Sequence, residues 1–318
     1  MKVLVTGGAG FIGSQLVRKL VEQNHEVTVI DDLSSGDIHN LDAVEKAIEF
    51  HLGTICDLSL VQRLTVKTDI IFHLATQCLV VGMDNPPHLH AVNDVGTFNV
   101  CYAAKENHCK VVYIGTSEEY GPQKIFPIRE DAPFNPQSLY ALTKILGEQY
   151  VKYFYRMYNV PAVIIRPFNT YGPLQREDLD MERLLKGFNA YAGVITSFIK
   201  RLETNQPPII FGDGQQRRDF TYVTDIIDGF LLLSRLENCE IVNLGSGKDV
   251  SILELANLLV KLWGVDVDFT YAAPRPNDIR VLLADISLAR TYGYEPKVSF
   301  QEGLQKYVEW YTSSRNRT

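Results

Sequence analysis

The chain has 318 residues, of which 46% are hydrophobic, 10% aromatic and 22% charged. This length and composition exclude a disordered or collagen-like chain and predict a folded protein with a sizeable core. The formal net charge of −7 disfavours binding to nucleic acid or to an anionic membrane, so any phosphate site must be local. The five cysteines are scattered and form no CxxC pair, and no membrane-spanning segment is predicted, so we expect a cytoplasmic protein without a disulfide framework or a metal site.

Short apolar runs alternate with helix-patterned stretches in the first half of the chain. The apolar runs predict strands at residues 3–5, 27–30, 70–72, 111–114 and 162–165. The clearest helical patterns lie at residues 14–23, 92–107 and 138–158. Because continuous apolar strands that alternate with helices form a parallel sheet covered on both faces, the pattern predicts a doubly wound α/β fold of the Rossmann type.

The regular alternation ends near residue 167. Beyond it the patterns predict strands at 209–211 and 241–244, and helices at 252–263 and 300–311, with loops between them. We therefore expect a first domain over residues 1–167 and a smaller C-terminal α/β lobe over residues 168–318, from which some chain returns to the first sheet.

A glycine-rich loop follows the first predicted strand directly. Gly7, Gly10 and Gly13 have the GxxGxxG spacing of a dinucleotide-binding loop, in which they allow a tight turn, close approach to a pyrophosphate, and helix–strand packing. An ordinary glycine-rich turn is the alternative for an isolated match. Here Asp31 and Asp32 end the second predicted strand, where a carboxylate binds the adenosine ribose and favours NAD over NADP; a turn or helix cap is their alternative role.

Two short segments carry candidate catalytic groups. Tyr140 and Lys144 lie one helical turn apart, and a nearby positive charge is what a phenol needs to act as a base at neutral pH. Thr116 and Glu118 follow the fourth predicted strand, at the sheet edge where ligands bind in open α/β folds. If this segment is extended, Glu118 projects to the same side as Thr116 and can remove an acidic proton; alternatively, Ser117 and Glu118 cap a turn.

Several segments together resemble the extended short-chain dehydrogenase/reductase family, specifically its NAD-dependent nucleotide-sugar epimerases and dehydratases. They cover nearly the whole chain: TGGAGFIGS (6–14), HLATQ (73–77), VNDVGTFN (92–99), TSEEYG (116–121), YALTK (140–144), RPFNTYGP (166–173), GDGQQRRDFTYVTD (212–225), NLGSG (243–247) and RPND (275–278). The resemblance implies that Tyr140 takes the proton of the sugar C4 hydroxyl while NAD accepts the hydride. It also implies that Lys144 holds the nicotinamide ribose and lowers the Tyr140 pKa, and that Thr116 shares the hydrogen bond to O4.

The resemblance further implies a nucleotide-diphosphate sugar as substrate and assigns the contacts to both ligands. The implied NAD contacts are Gly7, Gly10, Phe11, Ile12, Gly13, Asp31, Asp32, Thr54, Ile55, Leu74, Ala75, Thr76, Asn93, Tyr140, Lys144 and Pro167. The implied substrate contacts are Gln77, Thr116, Ser117, Asn169, Arg218 and Arg275. Thr54 stands where the family usually has an aspartate against adenine, so we expect that contact to be weaker or made by the main chain.

Members of this family differ in the reaction that follows formation of the 4-keto sugar. Simple 4-epimerases usually have a serine-rich stretch at residues 116–118, whereas a glutamate like Glu118 resembles the dehydratases and decarboxylases, in which it is a base. Nucleotide-sugar 4,6-dehydration is therefore the first expectation, although Ser117 replaces the aspartic acid of dTDP-glucose dehydratases. The alternatives are 4-epimerisation of a UDP-hexose, N-acetylhexosamine or uronic acid, then UDP-glucuronate decarboxylation. A non-catalytic NAD-binding protein is disfavoured because Tyr140 and Lys144 are both present.

Two larger features are also implied. Family members generally dimerise through two helices per subunit, which correspond to residues 92–107 and 138–158, so we expect a homodimer. The charged segment 174–193 is longer than the usual family link, and we expect it to form a lid over the sugar.

Overall fold

A parallel sheet forms the centre of the protein, whose structure is a computed structural model that describes residues 1–175, 193–275 and 278–315. The described strands are β1 (Lys2–Thr6), β2 (Glu26–Asp31), β3 (Ile48–Leu52), β4 (Ile70–His73), β5 (Lys110–Ile114), β6 (Ala162–Pro167), β7 (Thr170–Tyr171), β8 (Ile209–Phe211), β9 (Arg217–Arg218), β10 (Thr221–Tyr222), β11 (Asn238–Leu244), β12 (Val250–Ser251), β13 (Thr270–Ala272) and β14 (Val281–Leu282). The described α-helices are α1 (Phe11–Glu22), α2 (Leu58–Thr65), α3 (Leu79–Asp84), α4 (Pro86–His90), α5 (Thr97–Asn107), α6 (Leu139–Tyr158), α7 (Val194–Glu203), α8 (Val223–Leu233), α9 (Ile252–Trp263), α10 (Ser287–Thr291) and α11 (Phe300–Arg315). Residues Ile38–Ala47 and Ser117–Glu119 form 3-10 helices, and Ala91–Gly96 form a π-helix.

The central sheet has seven strands in the order β11-β6-β5-β4-β1-β2-β3. Every neighbouring pair is parallel. One face packs against α1 and α8 through side chains such as Leu20 and Phe230. The other face packs against α2, α5 and α6 through Val61, Val100 and Phe154. Helices on both faces of a parallel sheet confirm the predicted doubly wound, Rossmann-like α/β fold.

The second half of the chain forms a smaller core and also contributes a strand to the sheet. Helices α7, α9 and α11 pack around Phe198, Leu259 and Tyr307. Short strands accompany them: β8 pairs with β13, and β9 lies between β12 and β14. β11 returns to the main sheet and pairs with β6 at its edge. The domain boundary at residue 167 stays a prediction.

Two elements differ from the sequence-based expectation. Residues 92–107 are predicted as one helix, but their first turn is the π-helix Ala91–Gly96, in which the Asn93 side chain bonds to the main chain of Gln77. β3 was not predicted because Glu49 and His51 interrupt its apolar run, as is common in an edge strand. The predicted lid at 174–193 lies almost entirely outside the described residues. None of the described helices is long and apolar enough to cross a membrane.

Candidate active site

The carboxyl ends of β1, β2, β4, β5 and β6 border one cavity of about 430 Å³. This is the sheet edge at which doubly wound folds bind ligands. Most of the predicted site residues line this cavity: Gly7, Gly10, Phe11, Ile12, Gly13, Asp31, Asp32, Thr54, Ile55, Leu74, Ala75, Thr76, Gln77, Thr116, Ser117, Glu118, Tyr140, Lys144, Pro167 and Asn169.

The glycine loop forms an anion cradle between β1 and α1. Gly7 has a φ of +71°, and a Cβ atom there would approach the Ala75 nitrogen to 2.7 Å. A Cβ atom at Gly13 would collide with the Gly7 carbonyl oxygen. Gly10 caps α1 without a side-chain hydrogen bond, and the first turn of α1 contains no acidic residue. The helix N-terminus therefore presents main-chain N–H groups to the cavity, as a pyrophosphate requires.

Asp31 joins this loop to the end of β2. Its two carboxylate oxygens accept the N–H groups of Ala9 and Leu33, each at 2.9 Å. Burial raises the pKa of Asp31, and these two hydrogen bonds oppose the rise. Because each carboxylate oxygen can accept more than one hydrogen bond, Asp31 can also bind ribose hydroxyls. The loop and Asp31 together fit a dinucleotide such as NAD.

Thr116, Tyr140 and Lys144 lie together at the opposite end of the cavity. Ser138 caps the N-terminus of α6, since its hydroxyl accepts the Ala141 N–H at 3.1 Å. The helix that begins after this cap places Tyr140 and Lys144 on adjacent turns. The Thr116 side chain lies close enough to the Tyr140 phenol to influence its pKa, and both residues line the cavity with Lys144. Burial raises the pKa of the Tyr140 phenol, while the Thr116 side chain lowers it. Burial lowers the pKa of Lys144 to about 8, against the opposing effect of two buried carboxyl groups.

Glu118 also lines the cavity, but not in the way that an extended segment predicts. Residues Ser117–Glu119 form a 3-10 turn because the Thr116 hydroxyl accepts the Glu118 N–H at 3.3 Å and the Glu119 carboxylate accepts the Thr116 N–H at 2.9 Å. The expectation of an extended segment is therefore wrong. Burial raises the pKa of Glu118, and the positive charge of Arg218 opposes the rise. Glu118 thus presents to the cavity a carboxyl group that holds its proton more strongly than an exposed one, as a proton-exchanging group requires.

Three predicted contacts are not among the described residues that line the cavity. Asn93 lies behind it, where its side-chain oxygen accepts the Gln77 N–H at 2.6 Å and its amide donates to Thr143 at 3.1 Å. Arg218 donates to the Ile279 carbonyl at 2.6 Å and to Asp278 at 2.8 Å. The Arg275 guanidinium carbon lies 4.4 Å from the centre of the Phe211 ring. Asn93 therefore supports the cavity wall, and the two arginines belong to the C-terminal half.

The cavity also contains residues that the motifs did not indicate. The lining includes Ser34, Ser35, Gly36, Cys78 and Gln175. The first three form a run of small residues that begins two positions after Asp32, and such a run near a strand end is itself a loop signal. The side-chain oxygens of Asn169 and Gln175 are buried and have no hydrogen-bond partner in the described part of the chain. Such oxygens are available to donor groups of a ligand.

Comparison with known proteins agrees with this geometry. Residues 3–245 match the model of the NAD dependent epimerase/dehydratase family. A UDP-glucose 4-epimerase of Mycolicibacterium smegmatis is 36% identical to this chain, over an alignment that covers 98% of each of the two proteins. The crystal structure of a Thermotoga maritima UDP-glucose 4-epimerase with UDP-glucose superposes with a TM-score of 0.91 and 32% identity, over 99% of this chain and 100% of that one. A Streptomyces venezuelae dTDP-glucose 4,6-dehydratase with NAD bound superposes with a TM-score of 0.90 and 29% identity, over 100% of this chain and 98% of that one. The chain belongs to the NAD-dependent epimerase/dehydratase family, and NAD is its cofactor.

Proposed function

We propose that the protein is a nucleotide-sugar 4-epimerase that works through a transient 4-keto sugar. The observation that carries this proposal is that Thr116, Tyr140 and Lys144 line the same cavity as the glycine loop. A hydroxyl pair and an ammonium group placed together can move a proton at a sugar oxygen. The glycine loop and Asp31 would hold NAD, which when bound supplies a hydride acceptor and returns the hydride later.

The residues of the chain perform the proton transfer. Tyr140, as the phenolate, accepts the proton of the C4 hydroxyl as the C4–H bond breaks. Thr116 donates a hydrogen bond to the same oxygen, and the positive charge of Lys144 favours the phenolate. Tyr140 returns its proton when the ketone is reduced from the opposite face. Neither the protein nor its cofactor is changed at the end of the cycle.

Epimerisation requires no catalytic group beyond these three and room for the keto sugar to turn. Dehydration additionally requires a base at C5 and an acid for the leaving hydroxyl. Glu118 supplies one such group, whereas Ser117, at the position of the acid in the dTDP-glucose dehydratases, is a buried hydroxyl. We therefore place 4-epimerisation before 4,6-dehydration, which reverses the order taken from the motif alone. Dehydration remains the second candidate because Glu118 lies in the cavity and burial raises its pKa.

The substrate is proposed to be a nucleotide-diphosphate sugar. The buried side-chain oxygens of Asn169 and Gln175, which have no partner among the described residues, suit donors on the sugar. The positive charge of Arg218 acts on Glu118. Arg218 and Arg275 are proposed to bind the diphosphate, since a guanidinium group pairs well with phosphate oxygens.

A comparison of Glu118→Gln with Tyr140→Phe tests the choice of reaction. Both variants and the wild type are incubated with NAD and a panel of UDP-, dTDP-, GDP- and CDP-sugars, and the products are separated and weighed by mass spectrometry. For an epimerase we expect conversion at unchanged mass, retained by Glu118→Gln and lost in Tyr140→Phe. Loss of one water by the wild type, abolished by Glu118→Gln, would instead establish dehydration.

A further inference from the structure

A cluster of buried charges lies directly behind the catalytic residues. Glu119, Glu148 and Arg166 have side chains that are at most 1% exposed. Arg166 donates to both oxygens of Glu148, at 2.6 Å and 2.8 Å, and its Nε lies 3.3 Å from Glu119 Oε2. A Cβ atom on Gly115 would lie 2.8 Å from Glu119 Oε1 and 3.3 Å from Glu148 Oε1. Glycine at this position therefore lets two carboxyl groups converge on one guanidinium.

Glu119 connects this cluster to the catalytic residues in two ways. Its Oε1 accepts the main-chain N–H of Thr116 at 2.9 Å, so it fixes the residue whose side chain lies near the Tyr140 phenol. Glu119 and Glu148 also stabilise the charged form of Lys144, whose pKa burial would otherwise depress further. Without a carboxyl group behind it, a buried ammonium loses its proton more easily.

Arg166 lowers the pKa of Glu148 to about 2 against the effect of burial, so Glu148 is already ionised, and the other described groups near Lys144 supply no negative charge that changes with pH. The Lys144 ammonium lies 4.4 Å from the centre of the Tyr113 ring, which offers only the weaker attraction of a cation for an aromatic face. Burial and the nearby Lys144 lower the pKa of His73 to about 3, so that imidazole is neutral. Glu148 is already engaged by Arg166 and by Lys152, whose Nζ lies 3.0 Å away. Glu119 is therefore the carboxyl group whose charge can respond to Lys144.

We propose that Glu119 is a positioning residue for the oxidation at C4: it fixes Thr116 through the main chain, and it supports the positive charge of Lys144 from its place beside Glu148, which lies one helical turn from Lys144. The proposal rests on the proposed function. Burial and Glu148 raise the pKa of Glu119, while Arg166 and Lys144 lower it. Loss of the Glu119 proton adds a negative charge near Lys144, which favours the ammonium form.

The first test is the pH dependence of kcat in Glu119→Gln. The amide oxygen of glutamine can still accept the Thr116 N–H, but the residue cannot ionise. We expect a kcat near that of the wild type at pH 6, an unchanged KM, and an alkaline limb shifted to lower pH by about one unit, the effect of a removed neighbouring charge. Glu119→Leu loses the hydrogen bond as well, so its kcat should fall about fivefold or more at every pH.

Glu130→Gln is the matched control. Glu130 also contacts Arg166, because its main-chain carbonyl oxygen accepts a hydrogen bond from Arg166 at 3.0 Å. Its carboxylate accepts the Asn243 N–H at 3.0 Å. It does not contribute to the charge state of Lys144. We expect its pH profile to match that of the wild type. The proposal would be overturned if the alkaline limb of the kcat profile shifted equally in Glu130→Gln, or if it did not shift in Glu119→Gln.

A second measurement does not depend on turnover. The rate at which acetic anhydride acylates Lys144, followed by peptide mass spectrometry across pH, reports the protonation of that lysine. We expect Glu119→Gln to lower the pH midpoint of acylation by about the same one unit. An unchanged midpoint would refute the role of Glu119 even in an active enzyme. A shifted midpoint in a protein that converts no nucleotide sugar would support the coupling and refute the proposed function.

Discussion

The side chains of Gln77 and Ser34 join the two walls of the NAD cavity. Gln77, in the loop after β4, donates from Nε2 to the Ser34 hydroxyl at 2.6 Å, and Ser34, in the loop after β2, donates to Asp32 at 2.5 Å. Gln77 is only 3% exposed and both residues line the cavity. A bond across the opening of a cofactor site slows release of the cofactor. We therefore predict that Gln77→Ala binds NAD more weakly, although the family resemblance assigns Gln77 to the substrate.

The expected magnitude follows from the single hydrogen bond that is removed. A neutral hydrogen bond contributes about 1 kcal/mol, which is about fivefold in Kd. Ser34→Ala should weaken binding by at least as much because it also loses the bond to Asp32. In the double variant the effects should fall short of additivity by about 1 kcal/mol, since both changes remove the same bond.

Isothermal titration of the NAD-free variants measures each Kd, and Ser35→Ala is the control for a changed loop composition. We expect the KM for the sugar in Gln77→Ala to stay unchanged at saturating NAD. A raised sugar KM with an unchanged NAD affinity would return Gln77 to the substrate site. Strictly additive effects in the double variant would show that the two side chains act independently.

Three further predictions follow from the same structure. Tyr140→Phe should retain NAD but lose turnover by about 10²- to 10⁴-fold, the usual contribution of a general acid–base, and substantial residual turnover in a stopped assay would remove Tyr140 from that role. The pKa of His73 falls to about 3 on folding, so between pH 7 and pH 5 the unfolded state takes up a proton at His73 that the folded state does not. The free energy of unfolding should therefore drop by about 2 kcal/mol over this range. Urea titrations at the two pH values should show a smaller drop in His73→Gln than in the wild type. α5 and α6 carry exposed apolar side chains, including Phe98 and Leu146, which favours the expected homodimer. Sedimentation velocity should therefore show a dimer for the wild type and a monomer for Leu146→Glu. A monomeric wild type would refute this expectation.

The parts of the fold and site that the sequence predicted are those set by local pattern. The buried strands β1, β4 and β5 each contain an unbroken run of three or more apolar residues, so these runs identify them. The glycine loop and the Tyr140–Lys144 spacing depend only on main-chain space and helical period. These features could be recognised without knowing any distant contact.

The remaining parts depend on partners that are distant in the chain. Ser34 becomes a site residue because Gln77 reaches it from another strand, and Asn93 becomes a support because its π-turn brings it to the same loop. In sequence, Glu119 looks like one of two charged turn residues. Its burial depends on Glu148 and Arg166, which lie on α6 and β6. No local composition carries that information.

The neighbouring residues Glu118 and Glu119 show how one turn separates two roles. An extended segment would place Glu119 on the same side as Ser117 and opposite Thr116. In a 3-10 turn, successive side chains differ in direction by about 120°, so Glu118 can enter the cavity while Glu119 turns back to Arg166 and to the Thr116 N–H. The same reciprocal cap that makes the turn also fixes Thr116, which lines the cavity together with Tyr140. The local hydrogen bonds of one residue, Thr116, therefore determine both which carboxyl group meets the substrate and which one remains behind the catalytic lysine.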